Sequence, residues 1–263
     1  MKKIVFFLLL FSVLAAGETL AATNHYWSGG SEQDNLINNP DNYWDDKGVP
    51  APADTLFFDN KWNPLMEMDS TVDLEVAEAY LGKATVDGVF EMNVSGGSLH
   101  VSDKFVMCKD NRSGMEATLN MSGGTISTGS WFTLGGNTKA AVNMTGGLLD
   151  VGTKLAMGMY GDASGVLNLD GGTVMAGEID IVGQSTTEPT KINISYGTLK
   201  LEGDKVSDVL SFVSAGKIVS TTSYDVTASY DSNLDQTLVT APEPATLAFL
   251  SAGFFALRKK RRS

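Results

Sequence analysis

The phrases Met92-Asn-Val-Ser-Gly-Gly-Ser-Leu99, Leu119-Asn-Met-Ser-Gly-Gly-Thr-Ile126, Val142-Asn-Met-Thr-Gly-Gly-Leu-Leu149, Leu167-Asn-Leu-Asp-Gly-Gly-Thr-Val174 and Ile192-Asn-Ile-Ser-Tyr-Gly-Thr-Leu199 are five copies of one pattern. Counted between Gly97, Gly124, Gly147, Gly172 and Gly197, the copies lie 27, 23, 25 and 25 residues apart. Apolar residues stand five and three positions before this glycine, and two after it, in every copy. Alternation on both sides of a glycine corner reads as short β-strands joined by tight turns. Glycine suits such corners because it accepts positive φ.

Eight and ten positions after the glycine come Phe105 and Met107, Phe132 and Leu134, then Leu155 and Met157. The fourth copy places Asp180 and Val182 there, and the fifth Lys205 and Ser207, so the pattern is expected to break in both. A degenerate earlier copy is legible at Met66, Met68, Val72, Leu74, Val76 and Leu81-Gly82. No single repeat of this length can bury its apolar face, whereas stacked repeats make a continuous core. Propeller blades need about 40 residues, which is too many for this period. The expected fold is therefore all-β: a single-stranded β-solenoid, a right-handed parallel β-helix of about 25 residues per coil.

Asn93, Asn120, Asn143, Asn168 and Asn193 fall between two inward residues in each copy. They are expected to point outward and to stack about 4.8 Å apart, coil over coil. Amides stacked this way hydrogen-bond along the row as an asparagine ladder. The functional alternative is a polar strip that binds sugar.

The two ends of the chain are unlike the repeats. Lys2 and Lys3 precede an apolar run from Ile4 to Ala16, followed by small residues. These are the parts of a secretory signal peptide, with cleavage expected between Ala16 and Thr23. At the other end, Pro242, Glu243 and Pro244 precede an apolar run from Thr246 to Leu257. Arg258, Lys259, Lys260, Arg261 and Arg262 follow at once. The prolines break any preceding helix. The run spans about 18 Å as a helix, and the cations would hold it as a stop-transfer anchor facing the cytoplasm.

This order of parts resembles the PEP-CTERM sorting signal of bacteria. The resemblance implies a membrane exosortase, a cysteine transpeptidase, as partner, with Pro242, Glu243 and Pro244 as its recognition motif. It also implies passage through the Sec translocon, transient anchoring in the inner membrane, and delivery to the cell surface or extracellular matrix. The segment His25-Tyr-Trp27-Ser-Gly-Gly, Asn42-Tyr43-Trp44, Gly48-Val-Pro, then Asp54 before Leu56-Phe-Phe58 resembles the opening of autotransporter-associated and PEP-CTERM β-helix proteins. Here Tyr43 separates the asparagine from the tryptophan.

The chain is thus expected to comprise a signal peptide (1–22), an aromatic N-terminal cap (23–62), solenoid repeats (63–220), C-terminal cap strands (221–240) and a sorting tail (241–263). Trp27, Trp44 and Trp62 in the cap either plug the first coil or offer a platform for a glycan. Asp231-Ser-Asn-Leu-Asp235 is a turn signal within a closing hairpin or a set of final strands.

The formal charge is −12. Without the two terminal segments 12 basic and about 30 acidic residues remain, leaving a body near −18. Such a body repels nucleic acid. The lone Cys108 excludes an intrachain disulfide. His25 and His100 are too few for a histidine-rich metal site, and no metal or cofactor is expected. The chain has no Gly-x-Ser-x-Gly elbow, Walker loop or Cys-x-x-Cys pair. Cys108 stands where later copies have Gly135, Gly158 and Gly183, so a turn or semi-buried thiol is expected there in preference to a nucleophile. Asp150, Asp170, Glu178 and Asp180 are the carboxylates that neighbouring coils could bring together, as acid and base on a glycan or around calcium. Solvated charge is the expectation. The functional expectation is a non-enzymatic structural protein of the surface or matrix, associated with exopolysaccharide. The alternative is a carbohydrate-binding module, and a polysaccharide lyase or hydrolase stands behind both.

Overall fold

The computed structural model describes residues 22–31, 34–44, 48–58, 65–83, 87–110, 114–183, 185 and 188–241. The signal segment, Trp62, the Pro242–Pro244 motif and the Arg258–Arg262 cluster lie outside them. Among the described residues no helix is long and apolar enough to cross a membrane.

Two strands precede the first full coil, β1 (Asn24–Tyr26) and β2 (Thr55–Phe58). Three coils of three strands follow. They are β3 (Leu65–Met68), β4 (Asp73–Val76) and β5 (Glu78–Leu81), then β6 (Val89–Val94), β7 (Ser98–Val101) and β8 (Phe105–Met107), then β9 (Glu116–Met121), β10 (Thr125–Thr128) and β11 (Trp131–Leu134). In the next two coils the corners stay extended, so each coil is one bent strand: β12 (Lys139–Met157) and β13 (Ser164–Ile181). The last coil holds β14 (Lys191–Ile194), β15 (Thr198–Glu202) and the helix α1 (Val206–Ser214). β16 (Ile218–Ser220), β17 (Thr227–Asp231) and β18 (Gln236–Thr240) close the fold. The result is a β-solenoid of about six turns.

Strand pairing resolves into three parallel columns. Column one runs β3, β6, β9, the first part of β12, the first part of β13, β14 and β16. Column two runs β4, β7, β10, the middle of β12 and β13, and β15. There β18 and β17 add on antiparallel as the expected hairpin. Column three runs β1, β2, β5, β8, β11 and the ends of β12 and β13. Its first two rungs, β1 and β2, fall in the segment read from sequence as cap.

The degenerate early copy is a true coil, with Met66 in register with Met92 and Leu74 with Leu99. In the second coil Met92, Val94, Leu99, Val101, Phe105 and Met107 are all buried. Their counterparts lie directly above, as where Phe105 stacks on Phe132 at 5.1 Å. Each large apolar side chain buried this way contributes about 1.5–3 kcal/mol.

The fourth copy corrects the sequence expectation. Its third strand is intact, with Ile179 over Leu155 and Ile181 over Met157. The register shifts between Val151 and Lys154 because one residue, Gly177, turns the corner that Gly152 and Thr153 turn one coil earlier. Asp180 therefore points outward. The fifth copy does lose its third strand, and α1 replaces it, with Val209 buried in the common core.

Coils one strand spacing apart leave little room at their corners. Gly147 has φ +81°, and a Cβ there would stand 2.6 Å from the Gly123 carbonyl oxygen and 2.8 Å from that of Gly124. Gly216, behind α1, has a similar φ of +69° but nothing within 4 Å. Both substitutions to alanine incur the left-handed backbone cost of about 1–2 kcal/mol. Gly147→Ala adds a backbone clash and should lose about 2–4 kcal/mol in all. Gly216→Ala should lose only the first part, and chemical denaturation of the two variants side by side checks the difference.

Candidate functional site

The asparagine row forms on the outer side of column one. Each residue is flanked by buried neighbours, as Asn120 is by Leu119 and Met121. That forces the amides outward, where they are half-buried. Asn120 Nδ2 donates to Asn93 Oδ1 at 2.9 Å, and Asn143 to Asn120 at 2.8 Å. Asn168 donates to Asn143 at 2.7 Å, and Asn193 to Asn168 at 2.6 Å. All four bonds run in one direction along the axis, and Asn120 also donates to Glu91 Oε1 at 3.0 Å. The row ends on Glu67 below Asn93 and Val219 above Asn193. An amide has two donor hydrogens and two acceptor lone pairs. A ladder uses one of each, so the row keeps polar capacity toward solvent.

A groove of about 470 Å³ lies over the lower half of this row. Leu36 and Glu67 form its lower end, and Asn93, Asn120, Asn143 and Thr145 continue it upward. The cap supplies Leu36 by pairing with the first rung: Glu67 N–H donates to the Asn35 carbonyl, and Ile37 N–H to that of Glu67. Backbone pairing here covers the open edge of β3, a requirement for any exposed strand.

The cap aromatics divide. Trp27 is 0% exposed, edge-on to Tyr43 and Phe58, so it plugs the coil and presents no surface to a sugar. Tyr43 is buried as well, and its hydroxyl donates to the Ile37 carbonyl at 2.5 Å. Burial pushes that phenol far above its ordinary range. Trp44 is 63% exposed, its indole N–H donating to the Trp27 carbonyl at 3.1 Å. Beneath them His25 Nε2 lies 3.0 Å from Asp54 Oδ2, with both side chains buried. Asp54 also accepts from the backbone N–H groups of Thr23 and Ala51, at 2.7 and 2.8 Å. This carboxylate ties β1 to the turn that launches β2.

The carboxylates picked out in the sequence do not converge on one site. Asp150 is in column two, in register with Met175, and Asp170 takes a hydrogen bond from Ser195 at the corner after column one. Glu178 and Asp180 are in column three and share Lys154, at 2.8 and 3.9 Å. The hydrogen bond to Glu178 and the charge of Asp180 hold the Lys154 ammonium protonated above its ordinary range. Among the described residues no three His, Cys, Asp or Glu side chains are placed to hold a metal ion.

No family model, curated protein or solved structure matches this chain. Its site must therefore be read from its own side chains.

Cys108 has φ +56°, the conformation that Gly135, Gly158 and Gly183 adopt in later coils. It is fully buried, and its thiol donates to the Lys139 carbonyl at 3.0 Å. Burial raises its pKa to about 11, where a thiol is a poor nucleophile.

Sequence reasoning missed a second apolar cluster outside column three. Tyr26 stacks on Phe57 at 4.8 Å, and Phe57 on Tyr80 at 5.3 Å. Lys83 Nζ lies 4.1 Å from the Phe57 ring and 4.4 Å from that of Tyr80. Tyr80 donates to Glu78 Oε2 at 2.5 Å, and Lys104 to Glu78 Oε1 at 2.6 Å. Burial and the bond to Glu78 push the Tyr80 phenol up to about 12. Burial opposes ionisation of Glu78, but its bonds from Lys104 and Tyr80 outweigh that and hold it below its ordinary range. The available signal was the absence of alternation in Leu56-Phe-Phe58 and Ala79-Tyr-Leu81, where strands buried on one face should show it.

Asn143 both donates to and accepts from its neighbours. Asn143→Ala should cost about 1–3 kcal/mol, at about 0.5–1.5 kcal/mol per bond, and more than Asn193→Ala at the row's end. Urea unfolding of both variants checks this. A pKa near 11 lowers the native thiolate fraction of Cys108 about 100-fold against an ordinary thiol. A thiol reagent at pH 8 should modify Cys108 slowly in the folded protein and rapidly in denaturant. Equal rates in the two states would contradict its burial.

Proposed function

We propose that the chain is an exported, non-enzymatic structural protein of a bacterial cell surface or extracellular matrix, sorted by an exosortase and associated with exopolysaccharide. The observation that carries this reading is the tail, where Pro242-Glu243-Pro244, an apolar run and the Arg258–Arg262 cluster follow one another without interruption. On this reading the first 22 residues form a signal helix for the Sec translocon. Thr246 to Leu257 forms a hydrophobic helix in the inner membrane until the transpeptidase acts. The coils between them wind right-handed.

The body supports the reading by its chemistry. Side-chain amides and hydroxyls line the outside of column one, and a stacked core makes the body stiff without disulfides. A stiff, acidic, soluble rod suits a scaffold in a hydrated matrix. Two observations favour a second reading as a carbohydrate-binding module: the exposed Trp44 and the amide-lined groove.

Replacing Pro242, Glu243 and Pro244 together with alanine should leave the protein in the inner-membrane fraction, while the wild type reaches the surface. Fractionation followed by surface protease digestion reads the outcome. Unchanged surface delivery of the variant would overturn the sorting assignment.

A further inference from the structure

The fourth tryptophan lies on the repeat body. Trp131 opens β11 on the outer side of column three and is 40% exposed. Parallel register sets its neighbours along the axis. Lys154 is its registered partner in the coil above, and Glu178 lies above Lys154. Phe132 is registered on Phe105, so the preceding residues, Trp131 and Lys104, are neighbours below. Glu78 follows beneath Lys104, with which it forms an ion pair at 2.6 Å. Lys154 and Glu178 pair at 2.8 Å. The outer row therefore reads carboxylate, ammonium, indole, ammonium, carboxylate over five consecutive coils. At one strand spacing per step it is about 19 Å long.

The indole is the centre of this symmetry. Lys154 Nζ lies 5.2 Å from its ring, close enough for a cation–π contact. Each lysine is drawn toward its outer glutamate, and Trp131 between them remains 40% exposed. An indole face carries partial negative charge. It attracts the weakly positive C–H groups of a pyranose ring. Hydroxyl groups around that ring both donate and accept. An ammonium supplies spare donors and a carboxylate spare acceptors on either side of the platform.

Charge limits the kind of sugar. Lys104 and Lys154 are outnumbered by Glu78, Asp103, Glu178 and Asp180, with Asp103 3.3 Å from Lys104 and Asp180 3.9 Å from Lys154. A uronate or sulfated chain would have to compete with these carboxylates for the lysines, and it would approach a chain of formal charge −12. A neutral chain has no such penalty.

The geometry points to the Glu78–Lys104–Trp131–Lys154–Glu178 row as a docking strip for a neutral polysaccharide lying along the solenoid axis, with Trp131 stacking one sugar ring. This rests on the polysaccharide association proposed above and is independent of the sorting tail.

Affinity electrophoresis of the full chain in mild detergent tests it. The gels would contain β-glucan, xyloglucan, galactomannan or arabinoxylan, with polygalacturonate as the acidic comparison. At least one neutral polymer should retard the wild type, and Trp131→Ala should weaken that retardation about tenfold. Trp131→Phe should retain part of it, and Trp44→Ala all of it. Trp131 lies on the outer face, so the alanine variant should keep the wild-type circular dichroism and cooperative unfolding, with a modestly lower melting temperature. Retardation of the alanine variant equal to wild type would overturn the Trp131 assignment alone. No retardation of the wild type by any neutral polymer, or stronger retardation by polygalacturonate, would overturn the strip and weaken the polysaccharide reading with it.

Discussion

A coil can join this body only if its backbone sits one strand spacing above the last around the whole circuit. Strand segments meet that condition by hydrogen bonding. The first corner of the middle coils meets it with glycine, since at Gly124 and Gly147 a Cβ would stand 2.5–2.6 Å from a carbonyl oxygen of the coil below. In these coils the paired glycines are therefore the contact that lets the backbones approach to one strand spacing. Once stacking is fixed, each strand residue of an inner coil has a counterpart directly above and below it. The apolar columns, the amide ladder and the outer charged row all follow from that superposition.

Superposition also explains why the outer surface is ordered in rows. A favourable pair between neighbouring coils can repeat as long as its residue types recur. Asparagine recurs five times and yields four aligned amide bonds. In column three the outer residues differ from coil to coil, so the row alternates charge around an indole. Exposed ion pairs of this kind add little to stability, about 0–1 kcal/mol each. Their effect is to fix where donors and acceptors face solvent.

Much of this was legible in the sequence because the repeat is written in residues that have no alternative role at a tight corner. Period, core positions and the outward asparagines could all be read from Ser/Thr-Gly-Gly phrases. The fourth copy was misread because a residue count was carried across a corner that is one residue shorter, which moved Ile179 and Ile181 out of the expected places. α1 was not legible, since the segment after Glu202 keeps a mixed pattern and its Val209 is the sole fully buried member. Trp27 and Trp44 are alike in composition and context, yet one is enclosed and one exposed, a difference set by tertiary packing. Trp131 drew no attention because its outer neighbours come from coils 23 to 27 residues away and only stacking brings them together.

The short corner at Gly177 has a consequence for how such a chain can change over generations. Its loss of one residue against the coil below is absorbed on the spot, and the strands on either side regain register. The fold thus keeps count by strands and not by residues. Unequal recombination between any two Gly-Gly codon runs would insert or delete a whole number of coils, because both ends of the exchanged piece fall at equivalent corners. The caps would meet the same kind of surface as before. Height is a heritable trait separable from the fold, and a lineage could lengthen or shorten its rod without redesigning either end.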